Sequence, residues 1–305
     1  MIPEESSQFP DYLPGQYIAL SRENCKLTKK IIDASGETRY VYDLDESGNP
    51  KRGRVTHSYS ISSAPIETKQ KGYLEFYVVL ELISSETPGR LSESLFQIDP
   101  ERDNKVTYMN KITGEFTLEK RAAGFENVIM VGTGTGLAPF ASMIKQLYHE
   151  ALGGKNHNAR YTLFHANRTT NELGYHSELQ AIEASRKLDF VYVPSVSRPV
   201  AKDHDNPTLG KGRANNILRS VFDMPMKEEQ NIQEVSQQHE NIGRAEKILT
   251  RSIQPILPNH ISQKELLDRM DPQRTVILTC GNPKVMEDIK YIADTNHIRF
   301  EKEEW

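Results

Sequence analysis

Cysteine is nearly absent from this chain, whose 305 residues include only Cys25 and Cys280. Two thiols cannot build a disulfide framework, and they cannot supply the four thiolates of an iron–sulfur cluster. We therefore expect no metal site. The scarcity of cysteine also indicates a reducing, cytoplasmic location, where thiols stay free.

Long hydrophobic runs and a strong charge of either sign are missing as well. No apolar stretch approaches the roughly 20 residues of a membrane span, and the acidic start of the chain is unlike the basic start of a signal peptide. The formal net charge of -4 argues against a nucleic acid as the main partner. We expect a monomer with no membrane span and no nucleic-acid partner.

The pattern of predicted secondary structure changes near residues 122–124. The first 120 residues are β-like, and within them 73–82 predicts a strand with Leu74, Phe76, Val78, Leu80 and Leu82 on one face. Beyond residue 125, predicted strands alternate with helical patterns, which indicates right-handed crossovers and a parallel sheet. These predicted strands are 127–131, 161–166, 190–194 and 275–279. The predicted fold class is thus a two-domain protein, with an antiparallel β domain over 1–122 and an α/β parallel-sheet domain over 123–305.

Two polar segments, 33–54 and 224–262, look like insertions into this plan. The second is rich in Glu, Gln and Asn and has little apolar periodicity. We expect it to be solvated and partly helical, without a catalytic role.

A glycine-rich loop at 132–136 follows the first strand of the α/β half, and Pro139 fits the first turn of the helix behind it. Bare glycine backbone at a helix start can hold a pyrophosphate, which makes Gly134, Thr135 and Gly136 candidate ligand contacts. The loop has neither the Lys-Ser/Thr of a P-loop nor a third glycine at G-x-G-x-x-G spacing. A plain tight connection is the alternative interpretation.

Basic residues follow the later strands of the same half. Arg168, Ser197, Arg198 and Arg213 are expected at the carboxyl edge of the sheet, where open parallel sheets bind ligands. Guanidinium groups match phosphate bidentately, so this set predicts a further phosphate, with a 2′-phosphate as the obvious candidate. Solvated surface arginines are the alternative. Cys280, before a glycine turn at the same edge, is either a small core residue or a contact to a nicotinamide.

The β half holds two further candidate motifs. In residues 57–60, His-Ser-Tyr-Ser, an aromatic ring and hydroxyls can stack on a planar cofactor and hydrogen-bond its edge. A serine-rich edge strand is the alternative. The sequence Pro-Gly-Arg-Leu-Ser at 88–92 reads as a glycine turn that opens a short helix, which is either a second phosphate site or an ordinary helix cap.

In their order along the chain, these motifs resemble the ferredoxin–NADP⁺ reductase family, most closely its bacterial branch. The resemblance extends over 12–17, 58–60, 74–79, 89–92, 132–139, 197–198, 280–283 and the terminal Trp305. It implies a six-stranded antiparallel β-barrel that binds FAD, followed by an NADP-binding α/β domain. Hydride would pass between nicotinamide and flavin, and electrons would pass to a ferredoxin or flavodoxin.

The resemblance also implies residue roles. Tyr59 would pack on the isoalloxazine, Ser60 would hydrogen-bond near flavin N5, and Cys280 would lie against the nicotinamide; these three are the expected catalytic residues. The expected FAD contacts are His57, Ser58, Tyr59, Ser60, Tyr77, Val78, Arg90, Leu91, Ser92, Thr135 and Trp305. The expected NADP contacts are Gly134, Thr135, Gly136, Arg168, Ser197, Arg198, Arg213, Cys280, Gly281 and Asn282. Trp305 would cover either the isoalloxazine or the adenine ring.

The chain departs from the family pattern in three respects, one of which is the pair of insertions at 33–54 and 224–262. His57 stands where the family usually has Arg, and Arg52 or Arg54 are the nearby candidates to replace that charge. The chain also begins close to the Pro-Gly-Gln at 14–16, so either the barrel lacks its first strand or the natural start lies upstream. Two rival functions remain open: the reductase component of an oxygenase system, and an FAD-binding electron-transfer subunit that does not turn over pyridine nucleotide. The arginines and the glycine loop count against the second rival.

Overall fold

A three-stranded antiparallel sheet forms the centre of the amino-terminal part. The computed structural model describes residues 1–4, 8–32, 36, 38–80, 89–237 and 242–303. Strand β1 (Tyr17–Lys26) lies between two later strands, and a separate hairpin extends from this region. The elements are β1, the hairpin strands β2 (Thr28–Ile32) and β3 (Thr38–Tyr42), β4 (Arg52–Ser60), helices α1 (Pro65–Lys71) and α2 (Arg90–Phe96), β5 (Thr107–Thr113), and helix α3 (Leu118–Arg121).

The strand predicted over 73–82 does not form within its described residues, 73–80. They make only a single bridge, between Ile61 and Phe76. The backbone N–H groups of Glu75 and Tyr77 donate to the hydroxyls of Ser63 and Ser62 instead of to a neighbouring strand, each over 3.1 Å. The alternating pattern was therefore misleading, because a strand also needs a backbone partner for its ladder. Within the described residues the antiparallel sheet has three strands and does not close into a six-stranded barrel.

The carboxyl-terminal part contains a six-stranded parallel sheet in the order β11-β10-β6-β7-β8-β9. Its strands are β6 (Asn127–Thr133), β7 (Arg160–Asn167), β8 (Phe190–Val196), β9 (Gly210–Lys211), β10 (Thr275–Cys280) and β11 (Arg299–Lys302). Its helices are α4 (Ala138–Leu152), α5 (His176–Ser185), α6 (Ala201–His204), α7 (Ala214–Val221), α8 (Lys227–Gln237), α9 (Ile242–Arg251), α10 (Gln263–Leu267) and α11 (Pro283–Thr295). All four predicted strands are present, and β9 and β11 were not predicted.

The parallel sheet is covered on both faces, which explains why its strands read as continuous apolar runs. Met130 and Leu163 point to one face and pack with Phe140 of α4. Ile129 and Phe164 point to the other face and pack with helices α7 and α11. The predicted order, an antiparallel β part followed by an α/β parallel-sheet part, is confirmed. Among the helices of the described ranges, none is long and apolar enough to cross a membrane.

Buried polar contacts join the two parts. The Lys145 side chain of α4 is 2% exposed, and its Nζ lies 2.7 Å from Glu67 Oε2 and 2.9 Å from Glu75 Oε2. Ser142, one helical turn earlier, donates its hydroxyl to the carbonyl of Ser63 over 2.7 Å. The first turns of α4 are thereby fixed against the amino-terminal part, and the glycine loop that precedes α4 is fixed with them.

Candidate active site

The glycine loop lies at the carboxyl end of β6, as predicted. It forms a 3₁₀ turn, Gly134–Leu137, and runs directly into α4 with Pro139 in the first turn. Gly136 is required by packing, because a Cβ there would lie 2.2 Å from the carbonyl oxygen of Cys280. Gly134 has φ +57, and a Cβ there would meet nothing within 4 Å. The loop is therefore tight on its sheet side and open on its outer side, where Thr135 is exposed.

A chain of three polar side chains connects the two parts beside this loop. Cys280 at the end of β10 is completely buried, and its Sγ donates to Glu303 Oε2 over 2.8 Å. Ser60 at the end of β4 donates its hydroxyl to Glu303 Oε1 over a long 3.5 Å. Glu303 is itself 3% exposed, and its backbone N–H donates to Thr279 over 3.0 Å. Thus Ser60 and Cys280, predicted on separate domains, converge on one carboxyl group.

Burial sets the protonation of this chain of side chains. It raises the pKa of Glu303 to about 7, although the hydrogen bonds from Cys280 and Ser60 act in the opposite direction. Burial, followed by the nearby Glu303 charge, raises the pKa of the Cys280 thiol well above its ordinary value. Cys280 therefore stays a protonated donor, while Glu303 exchanges a proton near neutral pH.

Sequence reasoning missed Glu303. It lies in the acidic stretch 301–304, which resembles a solvated chain end. Its burial arises because β11 pairs in parallel with β10, so that the residue after β11 is drawn in beside Cys280. The available signal was indirect, since Glu303 lies two residues before the terminal aromatic that carried part of the resemblance.

The predicted flavin motif occupies the end of β4. Ser60 is buried and Tyr59 is half-buried, with its ring edge-on to Phe76 at a centroid distance of 6.4 Å. Because side chains alternate along a strand, Tyr59 and His57 face one side of the sheet and Ser58 and Ser60 face the other. Within this motif, the Ser60 hydroxyl contacts Glu303, whereas the Tyr59 ring packs against Phe76. The hydroxyl and the aromatic ring therefore have different neighbours.

Tyr77 and Val78, both expected to line the cofactor, follow the bridge at Phe76, and Tyr77 contacts the α/β part. The Tyr77 hydroxyl donates to the carbonyl of Glu172 and accepts from Asn167 Nδ2 over 2.9 Å. Its ring stands edge-on to Tyr175. Tyr77 thus belongs to the contact between the two parts, and Val78 beside it is partly exposed.

The described part of the predicted turn, 89–92, opens α2 with Gly89 as the residue before the helix, and Pro88 lies outside the described residues. Leu91 is fully buried in a small cluster with Cys25 and Val55, so its side chain serves the core. The hydroxyl of Ser92 donates to the carbonyl of Gly89 over 3.2 Å, and Arg90 is half-buried. A ligand at this turn would meet the backbone and Arg90 more readily than Leu91.

The predicted basic residues come together at the carboxyl edge of the sheet, but two of the arginines hold carboxylates. The backbone N–H of Arg198 donates to the carbonyl of Arg168 over 2.8 Å. Arg168 pairs with Glu172 at 2.6 Å, and Arg213 lies 3.3 Å from Glu228. For the exposed Arg198 no ion pair is seen among the described residues. Ser197 nearby donates its hydroxyl to the carbonyl of Asn167 over 3.3 Å.

The turn after Cys280 packs against the end of β6. Gly281 has φ +126, and a Cβ there would lie 2.3 Å from the hydroxyl oxygen of Thr133. The backbone N–H of Asn282 donates to the same hydroxyl over 3.0 Å, and the Asn282 side chain caps α11. Both residues therefore fix the turn that follows Cys280. Trp305, the remaining predicted contact, lies outside the described residues.

A cavity of about 520 Å³ lies away from Cys280. It opens at the amino ends of β6 and β7, between Tyr12, Phe125, Met143 and Tyr161. That is the opposite end of the parallel sheet from Cys280, so this cavity and the titratable chain of Ser60, Glu303 and Cys280 are separate features.

Comparison with known proteins agrees with this architecture. A family model described as the oxidoreductase NAD-binding domain matches residues 130–235. The chloroplastic leaf ferredoxin–NADP reductase isozyme 1 of Oryza sativa subsp. indica is 27% identical over 160 residues, which cover 51% of this chain and 42% of that protein. The chain thus aligns with less than half the length of this curated relative.

Two solved structures share the fold at 13% identity. The cytochrome b5 reductase domain of Ulva prolifera nitrate reductase has a TM-score of 0.53, covering 98% of this chain and 88% of its own. The ferredoxin–NADP⁺ reductase from Plasmodium falciparum with 2′P-AMP has a TM-score of 0.50, covering 95% of this chain and 96% of its own.

The family-model match assigns residues 130–235 to the class of oxidoreductase NAD-binding domains. This domain match agrees with the expected nicotinamide dinucleotide cofactor. Over 51% of its length the chain is also similar to the chloroplastic ferredoxin–NADP reductase of rice, in agreement with the resemblance seen in the sequence.

Proposed function

We propose that this protein is an NADPH-dependent reductase that moves hydride between NADPH and a non-covalently bound FAD and passes electrons to a ferredoxin or flavodoxin. The observation that carries the proposal is the convergence of Ser60 and Cys280 on the Glu303 carboxyl. Ser60 is the proposed contact near flavin N5, and Cys280 is the proposed contact to the nicotinamide. Their meeting brings the reactive ends of both cofactors to one place.

The residues around this point fit both groups. The open outer side of the loop at Gly134 leaves room for a pyrophosphate at the start of α4, where backbone N–H groups and the helix dipole favour an anion. The aromatic Tyr59 and the hydroxyls of β4 suit a planar, polar-edged ring. When bound, the flavin accepts two electrons as hydride and can release them singly.

The side chains of this protein would orient the cofactors and hold a proton. The protonated Cys280 thiol donates to Glu303 and so fixes the direction of that carboxyl group. Glu303, with its pKa near 7, can take up or release a proton near neutral pH, while the Ser60 hydroxyl donates a hydrogen bond to its carboxyl group. Close packing of Gly136 and Gly281 around Cys280 limits the access of water from the sheet side.

We further propose that residues 1–122 bind FAD and residues 123–305 bind NADP(H). On the flavin side we retain His57, Ser58, Tyr77, Val78, the turn at 90–92 and Trp305. On the nucleotide side we retain the glycine loop, Asn282 and the basic edge, which would recognise the 2′-phosphate. The name of the Plasmodium falciparum relative and its 2′P-AMP ligand support this choice of dinucleotide.

We also propose where the protein acts and how it meets its partner. Both cysteines are free and buried, which is compatible with a reducing cytoplasm. We propose a cytoplasmic monomer that meets its carrier transiently. The cytochrome b5 reductase domain among the structural relatives makes a b5-type haem protein the acceptor to compare with ferredoxin and flavodoxin.

The test begins with the purified yellow protein. Cofactor released by denaturation should be FAD by chromatography, and NADPH should bleach the flavin anaerobically faster than NADH does. Reduced protein should then transfer electrons to ferredoxin or flavodoxin faster than to cytochrome b5. FMN, or a protein that takes up no flavin, would refute the cofactor assignment. Bleaching without transfer to either proposed carrier would refute the partner assignment.

A further inference from the structure

The polar segment 224–262 places a negative charge beside the arginines at the carboxyl edge of the parallel sheet. Glu228 lies in the first turn of α8, and its Oε1 is 3.3 Å from Nη1 of Arg213. Arg213 is one of the residues proposed to recognise the 2′-phosphate. A carboxylate from a segment with no role expected from sequence therefore occupies part of that proposed site.

Neighbouring side chains hold Glu228 in place. Asn216 of α7 is buried, and its Nδ2 donates to Glu228 Oε2 over 2.8 Å. The Oδ1 of Asn216 accepts from the backbone N–H of Lys227 over 3.0 Å. The Glu228 side chain is 4% exposed, whereas that of Arg213 is 58% exposed. The carboxylate is thus fixed, and the guanidinium is the partner that can move.

The start of α8 is also anchored to the α/β core. Arg219 is completely buried and pairs with Asp288 of α11 at 2.6 Å. The same guanidinium donates to the carbonyl of Pro225 over 2.9 Å and to Gln230 over 2.8 Å. These contacts fix the backbone on both sides of Glu228, so its position follows from the fold.

We propose that Glu228 is a specificity-determining positioning residue that occupies Arg213 and thereby limits the preference for NADPH over NADH. A 2′-phosphate at Arg213 would have to displace the carboxylate or share the guanidinium with it. Displacement leaves a buried carboxylate with fewer partners, and sharing places like charges close together. Glu172 pairs with Arg168 at 2.6 Å and in the same way makes a second arginine less available to the 2′-phosphate. This inference rests on the proposed function and extends it.

The test compares two nucleotides that differ by the 2′-phosphate, adenosine 2′,5′-bisphosphate and adenosine 5′-monophosphate. Their binding to the flavin-loaded protein is measured by calorimetry. Glu228→Gln keeps an oxygen for Asn216 and removes the charge, so the dissociation constant of the bisphosphate should fall by about tenfold while that of the monophosphate stays unchanged. Glu234→Gln removes the same charge from an exposed position of α8 and is the control, with no change expected for either nucleotide.

A second background shows whether Glu228 acts through Arg213. Arg213→Ala should weaken bisphosphate binding, and adding Glu228→Gln to it should give no recovery. A gain that persists without Arg213, or a single Glu228→Gln variant that binds the bisphosphate no more tightly, overturns the inference while the 2′-phosphate site stands. Equal binding of both nucleotides by wild type, unaffected by Arg213→Ala, overturns the proposed NADPH site and this inference with it. If Glu228→Gln is unstable, Glu228→Asp withdraws the carboxylate by one methylene, and a smaller gain is expected.

Discussion

The two parts of this molecule are stabilised in different ways. The parallel sheet has apolar side chains packed on both faces, and its central strands are almost completely buried. The described residues of the antiparallel part bury two small apolar clusters, one with Ile18, Leu20, Ile61 and Leu74 and one with Cys25, Val55 and Leu91. The Ser63 carbonyl of this part accepts a hydrogen bond from Ser142 of the other part. The amino-terminal part therefore depends on its neighbour, while the α/β part has a core of its own.

The largest loss of stability is expected when the contact between the two parts is broken at Lys145. Burial opposes the charge of Lys145, but the hydrogen bonds to Glu67 and Glu75 outweigh it and raise its pKa. Lys145→Met would leave the buried Glu67 carboxylate without this cation, at a cost of about 3–5 kcal/mol in unfolding free energy. Chemical denaturation measures the loss, and hydrogen exchange should accelerate in β1 and β4 before it does in β6 and β7.

The matched control is Lys120→Met. Lys120 also contacts a carboxylate, Glu115 at 2.6 Å, but both side chains are largely exposed. Its loss should cost far less than the loss of Lys145, because exposed ion pairs contribute little to stability. Equal losses in the two variants, or exchange that accelerates equally in both sheets, would contradict the dependence of the amino-terminal part on Lys145.

The Glu303 carboxyl group, which Ser60 and Cys280 share, should make the free energy of unfolding depend on pH by a similar amount. Because burial raises the pKa of Glu303 to about 7 from 4.5, the folded protein binds a proton between these values that the unfolded chain releases. Its contribution to stability is present below about pH 4.5 and is lost as the pH rises to 7, by about 3 kcal/mol at ~1.4 kcal/mol per pH unit. Urea denaturation of wild type and Glu303→Gln between pH 4.5 and 8 isolates this contribution.

The difference between the two proteins should shift in favour of Glu303→Gln as the pH rises, since glutamine does not ionise. A difference that is flat across this range would show that the carboxyl group titrates normally and is not held between Ser60 and Cys280.

A smaller effect is expected at the basic edge of the α/β part. Arg198 has no ion pair among the described residues, so its charge is more available to a phosphate than those of Arg168 and Arg213. Arg198→Ala should raise the KM for NADPH by roughly ten- to hundred-fold, or about 1.5–3 kcal/mol, and leave that for NADH nearly unchanged. Lys202→Ala, an exposed cation on α6, is the control. Equal losses with both nucleotides would assign Arg198 to the fold or to the shared part of the dinucleotide.

The same contrast between the parts governs what the sequence could predict. Strands β6, β7, β8 and β10 were predicted because each is a buried apolar run that specifies a strand by itself. Residues 73–80 were wrongly predicted as a strand because their backbone partners are serine hydroxyls, which periodicity cannot reveal. Strand β9 was missed because a strand of two residues is too short to show a periodic pattern.

The candidate site divides in the same way. Ser60 and Cys280 were found because motifs mark the ends of their strands. Glu303 was missed because its burial comes from the pairing of β11 with β10, a long-range event. The pairing of Glu172 and Glu228 with the arginines was missed because tertiary packing, not spacing, determines whether a charge is already occupied.

The most direct test of the central claim is a double-mutant cycle on the step that bleaches the flavin. Anaerobic stopped-flow absorbance with NADPH would compare wild type, Ser60→Ala, Cys280→Ala and the double variant, with flavin content and thermal stability as controls. If both side chains act through Glu303 in one site, each single variant slows bleaching and the double variant is little slower than the slower single one. Rate losses that multiply, or bleaching at the wild-type rate in either single variant, would contradict a shared hydride-transfer site formed by the two parts.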